Sequence, residues 1–125
     1  MKQRKQGSSL KPMRVSAGFR AMVLDHLAEI GDVTPRAMFG GVGLYCDGFF
    51  FGIIASDVLY LKVDEGNRED FLRAECAPFQ PYGDRPGTMQ YYAVPLAVAE
   101  SPLELSVWAR KAVAVARRAQ ARKSP

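Results

Sequence analysis

The most constraining stretch of the chain is residues 36–63, RAMFGGVGLYCDGFFFGIIASDVLYLKV. From about Arg36, Met38, Val42, Leu44 and Cys46 alternate with Gly41, Gly43, Tyr45 and Asp47, the two-residue repeat of a half-buried strand. Asp47-Gly48 then marks a hairpin, because both central positions of the favoured turn take positive φ. FFFGIIA reads as the return strand, ended by Ser56-Asp57. Residues 58–63 read as a third strand, with Val58, Tyr60 and Lys62 on one side and Leu59, Leu61 and Val63 on the other. Three sequential strands joined by tight turns form an antiparallel meander. No crossover helix separates them, which excludes a doubly wound nucleotide fold and predicts α+β.

The flanks supply helices. Ser16 is the expected N-cap of a helix whose stripe is Phe19, Met22, Val23, His26, Leu27 and Ile30, ended at Gly31 with GDVTPR as a turn. Asp64 is expected to cap a short helix over 65–75, with Phe71 and Leu72 inward and Asn67, Arg68, Glu69, Asp70 and Arg73 outward. Pro78, Pro81, Gly83, Pro86 and Gly87 interrupt the next dozen residues. TMQYYAV is a strand closed by Pro95, with PFQPY as its short partner. Ser101-Pro102-Leu103-Glu104 opens a second long helix, running to about Ala121, with Ser at the cap and Glu three residues later. The predicted order is α-β-β-β-α-β-β-α, a two-layer α+β sandwich with an antiparallel sheet.

The glycines of MFGGVGLYCDG resemble half of a phosphate loop. A P-loop requires Lys followed by Ser or Thr after its second glycine, and a dinucleotide loop requires a helix next. A hairpin follows here instead. Gly40 and Gly41 are therefore expected to admit a bulge at the strand entry, or the close approach of a backbone or an aromatic ring.

Charge is unevenly distributed behind a net of +4. Residues 1–18 hold five bases and no acid, residues 110–125 six bases and no acid, and the segment between them six bases and all 13 acids. Residues 1–14 read as a disordered basic arm, 15–122 as one domain and 123–125 as a tail. No membrane span or secretory signal is evident. Cys46 and Cys76, without CxxC spacing, read as free, mostly buried thiols of a cytoplasmic protein. His26 reads as a packed histidine. Asp64, Glu65, Glu69 and Asp70 read as acids at a helix start, not a metal site, and no cofactor is expected.

RAMFGGVGLYCDGFFFGIIASDVLYLKVDEGNREDF, then PF, MQYYAVP and the Trp-Ala-Arg-Lys-Ala helix, resemble the N-terminal domain of the TfoX/Sxy family of bacterial competence regulators. The resemblance covers about residues 17–120. It implies an α+β sandwich similar to type III secretion chaperones, in a cytoplasmic protein tied to transcriptional control of DNA uptake. It supplies no catalytic residues. The family's full-length regulators carry a second, helix-hairpin-helix-like domain absent from the sequence up to Pro125, so a stand-alone domain is expected.

Two surfaces follow as candidates. Tyr60, Tyr91 and Tyr92, with the 49–51 phenylalanine run, are more rings than a two-layer fold hides, and would suit a protein partner or self-association. Arg110, Arg117, Arg118, Arg122 and Lys123 lie on exposed stripes of the C-terminal helix. They are either a solvated face with cations near a helix C-terminus or, together with the basic arm, a non-specific nucleic-acid contact. The leading expectation is a non-enzymatic regulatory domain acting through protein partners, with no small-molecule substrate identified. Direct nucleic-acid binding is the alternative.

Overall fold

The computed structural model describes residues 14–38, 40–79 and 90–123. The basic arm up to residue 13, most of the Pro/Gly-interrupted segment and the last two residues of the tail lie outside the described residues.

Helix α1 (Ala17–Leu27) begins as its sequence requires: the Ser16 hydroxyl accepts the Phe19 N–H at 3.2 Å. The Ser16 N–H also donates to Asp57 at 2.7 Å, tying the helix start to a distant β-turn. Val23 and Leu27 are fully buried. One 3-10 turn over Ala28–Ile30 follows, then Gly31.

The next segment departs from the sequence reading. GDVTPR is not a turn; Val33–Met38 forms strand β1, paired antiparallel with β2 (Gly41–Cys46), with Pro35 opposite Leu44. Proline is tolerated because β1 lies at the edge of the sheet, where its missing N–H need not break a ladder bond. The alternating run therefore holds two strands. Gly40, at φ 81°, sits between them in the left-handed region that reverses a chain. Gly41 meets the expectation of a close approach: a Cβ there would overlap the Ile54 carbonyl oxygen.

Strands β3 (Phe49–Ala55) and β4 (Val58–Lys62) follow. Both connecting turns have positive φ at their two central residues, Asp47-Gly48 and Ser56-Asp57, the geometry that matches strand twist in a two-residue hairpin. Strand β5 (Tyr91–Ala93) completes a five-stranded antiparallel sheet in sequential order. Beyond it the 77–79 segment pairs as predicted, Phe79 N–H donating to Tyr91 at 2.7 Å and Ala93 N–H to Ala77 at 2.8 Å. The remainder of PFQPY, and Thr88 and Met89 of the expected strand, lie outside the described residues.

Helix α2 is shorter than predicted, Arg68–Arg73. The Asp64 carboxylate accepts the Gly66 N–H at 2.7 Å and closes a turn before the helix. Asn67 is buried, not outward; its amide donates to Lys62 O and its oxygen accepts the Asp64 N–H, both at 2.9 Å. In so short a helix only Phe71 reaches the core, and Leu72, expected inward, is 55% exposed. A short helix α3 (Leu96–Ala99) precedes the long α4 (Pro102–Lys123), which starts as read, with Ser101 Oγ accepting the Glu104 N–H at 3.3 Å.

The helices cover one face of the sheet. Leu44, Phe51, Ile54, Leu59 and Leu61 pack there in one core with Val23, Leu27, Leu105, Ala109, Ala112 and Ala116. The small residues of α4 let the helix lie close to the strands. A register shift between Leu44 and Tyr45 leaves Phe51 without a strand partner, a bulge that turns its ring into the core while Phe50 points to the other face. That second face carries a smaller cluster of Ile53, Ala55, Phe79 and Tyr91, flanked by Phe50 and Tyr60. No described helix is long and apolar enough to cross a membrane.

Candidate functional site along helix α4

The cations of α4 are held against the acidic body of the domain. Lys111 pairs with Asp70 of α2 at 2.9 Å. Arg117 reaches Asp47 in the β2–β3 turn at 3.1 Å, its guanidinium 4.7 Å from the centre of the Phe49 ring. Arg110 donates to the Glu29 carbonyl at 2.9 Å. The strongest contact joins Arg118 to Asp64, a two-toothed pair at 2.8 and 2.9 Å, with Arg122 at 3.9 Å from the same carboxylate. Asp64 is only 17% exposed, and the Arg118 hydrogen bonds, with help from the Gly66 N–H and Arg122, hold its carboxyl below the usual range despite burial.

Because the Asp64 pKa is depressed in the folded state, its contribution is complete above the unfolded carboxylate value near 4 and is lost as pH falls through the lower folded value. Asp64→Asn should therefore cost about 1 kcal/mol at pH 7, allowing for the solvent exposure of Arg118. The gap between urea titrations of the two proteins should begin to narrow as pH falls below about 4; a gap that stays the same size throughout that acid range would assign the loss to packing instead.

The three tyrosines do not form one surface, because neighbours along a strand point to opposite faces. Tyr91 is 2% exposed on the second face, its ring 5.4 Å from Phe50. Its hydroxyl is buried without a hydrogen-bond partner, and burial, with nearby Tyr45, pushes its pKa up. Tyr60 shares that face, half-buried and 4.7 Å from Phe79 between ring centres. Tyr92 lies on the helix side, against Phe71.

The family model for the TfoX N-terminal domain matches residues 25–116. The chain belongs to that family. No curated protein matches it. The matched segment runs from inside α1 to inside α4 and so contains the whole five-stranded sheet and Asp64. Arg117, Arg118, Arg122 and Lys123 follow it, so family membership does not speak for their roles.

The remaining chemical groups of this TfoX N-terminal domain have structural placements. Burial pushes up the thiols of Cys46 and Cys76, which lowers the thiolate fraction available to react. His26 Nδ1 lies 3.0 Å from the Ala99 carbonyl; a carbonyl can only accept, so this nitrogen carries the proton and joins α1 to α3. Asp64 and Asp70 are taken by α4, and Glu69 lies 3.8 Å from Arg73. Among the described residues no group of three or more His, Cys, Asp or Glu is placed to hold a metal.

Two features escaped the sequence reading. Leu103 and Val107, one turn apart on α4, are 79% and 53% exposed; their position off the Leu105–Ala109–Ala112 stripe was visible in the helical spacing. Lys62 is half-buried at the end of β4, 5.1 Å from the centre of the Tyr91 ring. Nothing in LYLKV distinguishes it from an ordinary solvent-facing strand residue.

Proposed function

We propose that the domain is a non-enzymatic, cytoplasmic regulatory module that acts through a protein partner in transcriptional control. One observation carries this choice over direct DNA binding: Lys111, Arg117, Arg118 and Arg122 of α4 pair with Asp70, Asp47 and Asp64 of the same chain. A duplex would have to displace those carboxylates, and the domain's acids would repel it. The exposed Leu103 and Val107, and the accessible parts of Tyr60 and Tyr92, supply apolar surface of the kind that marks association.

Pull-down from the native cell, with and without nuclease, tests the reading. A protein retained equally in both arms is expected. In parallel, fluorescence titration with duplex DNA at about 150 mM salt should give a Kd no tighter than about 10⁻⁴ M, the weak end of non-specific binding. Micromolar binding that falls steeply with salt, with partner recovery lost on nuclease treatment, would establish nucleic-acid binding instead.

A further inference from the structure

We propose that the outward crest of α4 pairs with the same crest of a second copy of this chain, the two helices lying antiparallel. The inference rests on the reading of Leu103 and Val107 as an association surface and names what covers it.

The crest follows from residue spacing. Leu103, Val107, Arg110, Ala114, Arg117 and Ala121 recur at alternating intervals of four and three, a seam of the kind that packs helix against helix. It lies on the side of α4 away from the buried Leu105, Ala109, Ala112 and Ala116. Among the described residues Leu103 is the most exposed large apolar side chain, at 79%, and Val107 is 53% exposed. The two arginines of the seam are drawn to one side, Arg110 to the Glu29 carbonyl and Arg117 to Asp47. Lys111 and Arg118 beside it are drawn to the other, to Asp70 and Asp64. The cations therefore part along the helix, and half-buried Ala114 and exposed Ala121 leave a low ridge between them.

Charge and register select a second copy as the occupant. Residues 100–109 hold Glu100 and Glu104 and no base, whereas residues 110–123 hold six bases and no acid. An antiparallel pair sets the acidic end of each helix beside the basic end of the other and opposes the two macrodipoles. A parallel pair would set like charge on like. The seam also complements itself in size. With Ala112 of the two copies at one level, Leu103 meets Ala121 of the second copy, Val107 meets the Arg117 stem and Arg110 meets Ala114, so each layer puts a large side chain against a small one or a stem. Glu104 then lies beside Arg118 of the second copy. Arg118 gives Nε and Nη2 to Asp64, and a guanidinium has five N–H donors in all. A two-fold interface of this kind uses one patch twice. The sheet edges offer no equal route: β1 carries Pro35, which blunts edge pairing, and β5 is paired with the 77–79 segment.

Sedimentation velocity on the whole chain, over a concentration series, tests the pair. The apolar centre is small, so a monomer–dimer equilibrium with a Kd on the order of 10⁻⁵ M is expected. Val107→Glu should weaken it at least about tenfold, while Leu72→Glu, at an equally exposed apolar position on α2, should leave it within about twofold. Glu104→Gln reports the orientation. It should weaken an antiparallel pair about threefold, since Glu104 faces a cation there twice over, and would tighten a parallel one, in which Glu104 faces its own counterpart. Circular dichroism melts show that each variant is folded. A monomer at every concentration, an unchanged Kd for Val107→Glu or a tighter dimer for Glu104→Gln would overturn the proposal. A monomer that still recovers a protein from the cell through Val107 would give the crest to that protein and keep the partner reading. A Val107-dependent dimer that recovers nothing would uphold the self-pairing and remove the partner reading.

Discussion

Replacing Phe51 with alanine is expected to remove about 4 kcal/mol of unfolding free energy, within the usual range for a fully buried aromatic. Phe51 is inaccessible to solvent, and the bulge that leaves it without a strand partner places its ring in the main core between sheet and helices. Deleting the ring loses its transfer free energy and leaves a cavity that paired strands on either side cannot collapse to fill. Domains of this kind have about 5–15 kcal/mol in hand, so the variant should sit near the edge of folding at 37 °C. Urea unfolding should show a lower midpoint with an unchanged slope. A loss under about 1 kcal/mol would mean the core closes over the gap. Phe50→Ala is the matched comparison. Its ring is only half-buried, on the second face, and its loss should be the smaller of the two.

The second large effect is expected at Gly41. A methyl group there would overlap the Ile54 carbonyl oxygen, a backbone atom of the adjacent strand. A side chain could rotate aside, but a strand carbonyl can yield only if β2 and β3 separate locally. Gly41→Ala should cost about 3 kcal/mol, at the upper end for overpacking. Gly18→Ala provides the opposite sign on the same chemistry. It lies in α1 with nothing within 4 Å of the added carbon, and should stabilise by about 0.5 kcal/mol through the helix preference and the restricted unfolded chain. Thermal melts of the two variants should move in opposite directions. Equal shifts would show that the gain or loss of a glycine as such, and not the Ile54 carbonyl, sets the outcome.

The charge asymmetry of the chain acquires a physical reading from the ion pairs of α4. Acids in the turns and short helix around the sheet attract a basic helix within one molecule, and its cations fasten it across the β2–β3 turn, the β4–α2 loop and α2. Individually, exposed pairs of this kind contribute little. Together with the buried Ala109, Ala112 and Ala116, they set how α4 lies on the sheet, and hence which part of α4 faces outward.

Much of the fold was legible before any coordinates. Period-two alternation located β2, β3 and β4, and Asp47-Gly48 and Ser56-Asp57 located their turns, because strand and turn preferences depend on a few adjacent residues. Ser16 and Ser101 marked their helix starts for the same reason. Pro35 misled: as an isolated residue it argues for a turn, and only the edge position of β1 makes it compatible with a strand. Leu72 and Asn67 were assigned to the wrong sides because α2 is shorter than its apolar pattern, so a helical wheel extended over 65–75 misplaces residues at its ends. The four-residue α3 is too short to leave a periodic signal.

The candidate site was less legible. Tyr91 and Tyr92 are adjacent, and alternation alone should have put them on opposite faces. Their burial, however, depends on Phe50 and Phe71, which arrive from other parts of the chain. The cations of α4 were correctly placed outside the core stripe, but their partners lie 41 to 81 residues away, from Lys111 with Asp70 to Arg110 with Glu29. By itself, then, the sequence determined the α+β class, the meander, the helix starts and the family. Only the tertiary structure decided that β1 is a strand and that cations of the basic helix pair with acids in the turns and short helix around the sheet. The division has one cause. Backbone preference is set by neighbours within a few residues, whereas an ion pair or a cleft exists only after distant segments have been brought together.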